Sequence, residues 1–109
     1  MSKPTYDYYR EIFRRQEMPF AFVDLDLFDQ NIREILPRAG SKLIRVASKS
    51  VRCRALLERV FKANDTFQGI MCFTVPEALF LVENGFSDLL PPALCTSPLV
   101  FASVCQVLR

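Results

Sequence analysis

The chain has 109 residues, half of them hydrophobic, with ten phenylalanines and a formal net charge of +2. That is one domain or part of one, with enough apolar residues for a core and too little positive charge to argue for nucleic acid. Histidine is absent, which removes the commonest metal ligand and the commonest general base. The four cysteines, Cys53, Cys72, Cys95 and Cys105, lack the short paired spacing of a zinc site or a redox dithiol, so no metal is expected. Reduced thiols in a cytoplasmic protein are the simple expectation, and the polar start MSKPTYDYYR does not read as a secretory signal.

In chain order, residues 5–17 predict a helix with Tyr8, Ile12 and Phe13 on one stripe, ended by Pro19. Phe20–Asp24 predicts a first strand. Asp26 is placed to cap a helix through Phe28, Ile32, Ile35 and Leu36, closed by Pro37 and Gly40. Leu43–Ala47 predicts a second strand and Val51–Ala63 a helix packing through Ala55, Leu56, Val60 and Phe61. Gly69–Phe73 predicts a third strand. Pro76, with Glu77 near the positive end of the dipole, opens a helix that stops at Gly85, and Asp88–Leu90 begins a fourth strand.

Strands alternating with helices are the rhythm of right-handed βαβ units on a parallel sheet, either an open doubly wound sheet or a (β/α)₈ barrel. None of the three glycines, Gly40, Gly69 and Gly85, builds a Gly-rich loop after a strand, so no nucleotide phosphate cradle is visible. A barrel takes about 250 residues, and this chain would supply only part of one. From Leu89 to Leu108 there is no charged residue, but Pro91, Pro92 and Pro98 interrupt the run. A helix over 99–108 would fall short of the ~20 apolar residues that a membrane span needs.

The segment LIRVASKSVRCRALL, Leu43–Leu57, carries the chemistry. Strand alternation puts Ile44, Val46 and Ser48 on one face and Leu43, Arg45, Ala47 and Lys49 on the other. Ligands of parallel α/β folds bind at the carboxyl ends of the strands. Lys49 is therefore a candidate amine for condensation with an aldehyde cofactor, although the same position suits a solvated lysine in a βα loop. That condensation needs a neutral amine, which a nearby cation favours. Arg45 on the same face, and Arg52 if the following turn folds back, are the cations to consider. Asp24 either lines the mouth of such a site or caps the next helix. Thr74 either touches the cofactor or caps the helix opening at Pro76. Cys72, on a buried strand, reads as inert packing.

Four segments carry a resemblance: PFAFVDLDLFDQNI (19–32), IRVASKSVRCRALL (44–57), GIMCFTVPEAL (69–79) and NGFSDLL (84–90). In this order they resemble the N-terminal barrel half of the alanine-racemase-like, fold-type III pyridoxal-phosphate enzymes. Within these enzymes they look most like the D-threonine aldolase and D-serine deaminase branch. The resemblance implies part of a pyridoxal-phosphate-binding barrel of about four parallel strands over 19–90; the N-terminal helix over 1–18 and the atypical uncharged tail over 91–109 flank it. The resemblance also implies that Lys49 holds the cofactor as a Schiff base, and the expected cofactor neighbours are Arg45, Asp24 and Thr74. Glu77 matches the family's acidic residue at the helix start.

The implied activity is that of a lyase, deaminase or racemase on D-amino or β-hydroxy amino acids, homodimeric in a full-length parent. The family's phosphate site, the partner of the pyridine nitrogen, the C-terminal β-domain and, in some members, a metal site come from later sequence. Since PPALCTSPLVFASVCQVLR departs from the family pattern, the expectation is a truncated chain, inactive by itself. Two other readings stand beside it: a non-catalytic cofactor-carrier barrel, and a cofactor-free α/β interaction module in which Lys49 is a surface charge. None involves nucleic acid or membrane as a partner.

Overall fold

The structure is a computed structural model that describes residues 3–90, so the expected helix over 99–108 lies outside the described residues. Its elements are α1 (Tyr6–Ile12), α2 (Leu25–Ala39), β1 (Ile44–Ala47), a 3₁₀ turn (Ser48–Ser50), α3 (Arg54–Ala63), β2 (Phe67–Met71), α4 (Val75–Glu83) and β3 (Leu89–Leu90). The three strands form one parallel sheet in the order β1-β2-β3. The chain is thus mixed α/β with a parallel sheet. Among the described residues no helix is long and apolar enough to cross a membrane.

Among the described residues the sheet has three strands where the sequence predicts four. Phe20–Asp24 forms no strand and is not part of the sheet. Its alternating aromatics are engaged elsewhere: Phe22 lies 4.4 Å from Phe13 and 5.0 Å from Tyr9 between ring centres, and Phe20 lies 5.0 Å from Phe13. These contacts tie the segment to α1, which buries none of its residues, rather than to the outer edge of β1. Asp24 ends the segment by capping α2, its Oδ1 accepting the Asp26 and Leu27 N–H groups at 3.0 and 3.1 Å. Asp26, the expected cap, lies in the first turn instead. The helix runs two residues beyond Pro37, because a proline in the last turn forfeits one hydrogen bond while keeping helical φ.

All the helical packing is on one face of the sheet. Ile32 of α2, Val60 of α3 and Phe67 of β2 form one cluster, with Ile44, Val46 and Phe61 against it. Leu57 of α3, Ile70 and Cys72 from β2 and the residue after it, Ala78 and Leu81 of α4, and Leu89 of β3 form the other. Ile70, fully buried, is the centre of this layer. Leu57 takes the core position expected of Ala55 and Leu56, and Ile12 and Ile35 remain largely exposed. An ion pair from Arg59 to Asp29, with two hydrogen bonds of 2.6 Å, fastens α3 to α2.

The register of β2 is shifted. Ile44 pairs with Phe67 but Val46 with Ile70, so β2 spends three steps where β1 spends two. Gly69 (φ +80) absorbs the extra residue as a bulge, which lets both Phe67 and Ile70 face the helices. The strand therefore begins two residues before the predicted start at Gly69. On the opposite face, the Arg45 guanidinium crosses over Gly69 to reach Asp88, donating to its carbonyl at 2.7 Å and its carboxylate at 2.8 Å. A Cβ at position 69 would fall on that guanidinium and within 2.5 Å of the Asp88 carbonyl oxygen. Gly69→Ala is therefore expected to lower unfolding free energy by about 2 kcal/mol or more, read by denaturant titration. A loss under about 0.5 kcal/mol, the range of neutral surface changes, would show that the crossing is not tight.

Candidate functional site

The site sits at the carboxyl edge of the sheet, where β1 hands over to α3. The alternation that buries Ile44 and Val46 continues to Ser48, which is buried and donates to the Met71 carbonyl at 3.2 Å. This bond pins the end of β1 to the end of β2. The chain then tightens into the 3₁₀ turn, with the Val51 and Arg52 N–H groups both donating to the Ser48 carbonyl at 3.0 and 2.8 Å. Arg52 takes a left-handed φ of +47, and helix α3 starts at Arg54 rather than at Val51. Lys49, inside the turn, is exposed.

The Lys49 Nζ stands 5.4 Å and the Arg52 Cζ 5.6 Å from the centre of the Phe73 ring, which follows β2 on the same edge. Each contact is of cation–π type. The Arg52 Nε also donates to the Lys49 carbonyl at 3.3 Å. Thr74 caps α4, its hydroxyl accepting the Glu77 N–H at 3.3 Å, while the Glu77 carboxylate accepts the Phe73 N–H at 3.2 Å. This is a capping box displaced by one residue, and it fixes Phe73 from behind. A cleft of about 550 Å³ lies beside Phe73, lined by Ser48, Arg52, Arg54, Phe73, Thr74 and Glu77 among others; Lys49 is not one of its lining residues.

Of the four expected cofactor residues, Lys49 and Thr74 share this edge. The other two have partners of their own. Arg45 is committed to Asp88 across the middle of the sheet. Asp24 lies at the junction of α1 and α2, where its Oδ2 accepts the Tyr9 hydroxyl at 2.6 Å. Arg52 comes close because the turn folds back. Phe73 as the platform was signalled only by its place at the end of a strand.

The edge residues fit a phosphorylated aldehyde by their chemistry. They offer an exposed amine, an aromatic surface, a guanidinium and a hydroxyl that can still donate. No group of His, Cys, Asp and Glu suited to a metal ion occurs among the described residues. Comparison of the chain with family models, with curated proteins and with solved structures gave no match.

Two titrations check these environments. The hydrogen bond to Asp24, followed by desolvation and the Asp24 charge, pushes Tyr9 up to about 12, and the same bond with the Leu27 N–H holds Asp24 below its ordinary value. The Tyr9 contribution to stability is then fully present below its unfolded value near ~10 and lost as pH rises through about 12. The Asp24 contribution is present above the ordinary carboxylate value and lost as pH falls through its depressed one. Tyrosinate absorbance is expected to show one late-ionising phenol of three, and Tyr9→Phe to remove it. Burial, then the Glu77 charge, pushes the Cys72 thiol up to about 11, whereas Cys53 is exposed. Brief alkylation at mildly alkaline pH followed by peptide mapping should label Cys53 and spare Cys72.

Proposed function

We propose that residues 19–90 are the lysine-bearing part of a pyridoxal-phosphate-dependent (β/α)₈ barrel, an amino-acid lyase or deaminase of the D-threonine aldolase and D-serine dehydratase kind. Lys49 is its cofactor-bonding amine. The observation that carries this reading is the placement of Lys49 on the carboxyl rim of a parallel sheet whose strands run in sequential order. All the helices that pack on that sheet do so on one face. A barrel segment has this single-sided layer, and so does one βαβαβ half of a doubly wound sheet; the choice of the barrel rests on the resemblance of the four segments.

Bound pyridoxal phosphate supplies an aldehyde carbon and an electron-withdrawing ring. The chain's own residues supply the rest. Lys49 offers the nitrogen that bonds the aldehyde and, when displaced by the amino group of a substrate, an amine able to take or return a proton nearby. Ser48 holds the backbone under that amine. Phe73 shields one side of it from water, and Thr74 offers a hydroxyl hydrogen toward the cleft.

Incubation with pyridoxal phosphate, borohydride reduction and peptide mapping tests the assignment without requiring turnover. Label is expected on Lys49, and Lys49→Ala should abolish both the label and the visible absorbance band. Equal labelling of Lys42 and Lys62, or a band that survives Lys49→Ala, would overturn the reading.

A further inference from the structure

The arginines of β1, of the turn after it and of α3 differ in how they are satisfied. Arg45 is held by Asp88, and Arg54 by Glu58 and the Asn84 side chain. Arg59 is held by Asp29. Arg52 is in none of the ion pairs among the described residues, although it lines the same cleft. Its Nε is anchored on the Lys49 carbonyl, which leaves both terminal nitrogens of the guanidinium to other partners. Its backbone is left-handed, a conformation that costs a non-glycine residue free energy and that structures tend to hold where a side chain must be aimed. A solvated surface arginine needs neither the anchor nor the strain.

We infer that Arg52 is an oxyanion-binding residue that seats a phosphate or carboxylate group in the cleft next to the Lys49–Arg52 turn, with the Thr74 hydroxyl as second donor and the Glu77 carboxylate, which also lines the cleft, held back on the Phe73 N–H. The inference builds on the reading of Lys49 as the reactive amine, because it supplies the fixed point against which a phosphorylated aldehyde or an amino acid is oriented. The fork of two N–H donors suits a planar or tetrahedral oxyanion, and Phe73 beneath it keeps the guanidinium from swinging into bulk solvent.

The test titrates inorganic phosphate and, separately, acetate into the protein, following by NMR the backbone amide resonances of the turn from Lys49 to Arg54 and of Phe73 and Thr74, which every variant retains. Saturable binding is expected in the wild type and in Lys49→Ala. Arg52→Gln should weaken it by roughly tenfold or more, the effect of one charged hydrogen-bonding partner, with partial rescue by Arg52→Lys. Arg52→Gly removes the guanidinium and relieves the left-handed backbone, so its loss of binding cannot be ascribed to misfolding if unfolding midpoints hold or rise. Comparing pyridoxal phosphate with pyridoxal separates the two sources. A defect of Arg52→Gln confined to the phosphorylated form assigns the site to the cofactor phosphate. A defect toward acetate with both aldehydes unaffected assigns it to a substrate carboxylate. Equal anion affinity in wild type, Arg52→Gln and Arg52→Gly overturns the inference. If Lys49 escapes labelling while phosphate binding still depends on Arg52, the enzyme reading fails and the oxyanion site stands.

Discussion

The architecture turns on one residue without a side chain. At Gly69 the second strand takes a left-handed step and gains a residue on its neighbour, and two consequences follow from that geometry. Below the sheet, Phe67 and Ile70 both face the helices, so the α2–α3 cluster and the α3–α4 cluster become one continuous layer through Val46 and Phe61. Above it, the absent Cβ opens the slot through which Arg45 reaches Asp88 and joins the first strand to the third. The side chains of that pair are 36% and 56% exposed, so its Coulomb term is screened and modest. The main stabilising term is apolar, since complete burial of a side chain such as Ile70 is worth about 2–3 kcal/mol.

The rim of the sheet inherits its order from that packing. Ser48 is the last residue of the alternating pattern, and its buried hydroxyl leaves the Lys49 main chain no freedom to follow the strand direction. The turn that results throws Lys49 outward and folds Arg52 back over it, while the capping box at Thr74 and Glu77 stations Phe73 against both. The amine is exposed, yet the elements around it are fixed. Such a combination suits a group that must meet a ligand in a defined orientation.

Much of this was legible in the residues themselves. The alternation of Ile44, Val46 and Ser48 against Leu43 and Arg45 agrees with the burial in the structure, whereas Ala47, expected on the open face, is half-buried and Lys49 lies beyond the strand in the 3₁₀ turn; the helical stripes through Ile32 and Val60 give packing positions that the structure uses. The failures have physical causes. Phe20–Asp24 has the pattern of a strand, but an alternating aromatic pattern is equally well satisfied by Phe13 and Tyr9, which lie on a helix the sequence places without a docking site. Gly69 reads as punctuation at the start of a strand, because a bulge depends on the register of the neighbouring strand. The start of α3 is delayed by the φ of Arg52, which no residue type announces. At the site, position alone marks Lys49. The partner that removes Arg45 from it lies 43 residues later in the chain, beyond any local pattern.

Electrostatics sharpens the contrast between the body of the layer and its rim. Within the body, Asp29, Glu58 and Asp88 each answer an arginine, so charge there is locally balanced. At the rim, α3 and α4 both begin, and the first turn of α3 carries no acidic residue and no side-chain cap from Cys53. Glu77 at the start of α4 is turned back onto the Phe73 N–H. Lys49 and Arg52 therefore stand at the positive ends of helices with no ion-pair partner among the described residues, and the field along that edge favours an anion. An amine alone would attract any carbonyl compound weakly. On the proposed reading, an amine with such a guanidinium beside it favours carbonyl compounds and amino acids that carry an oxyanion.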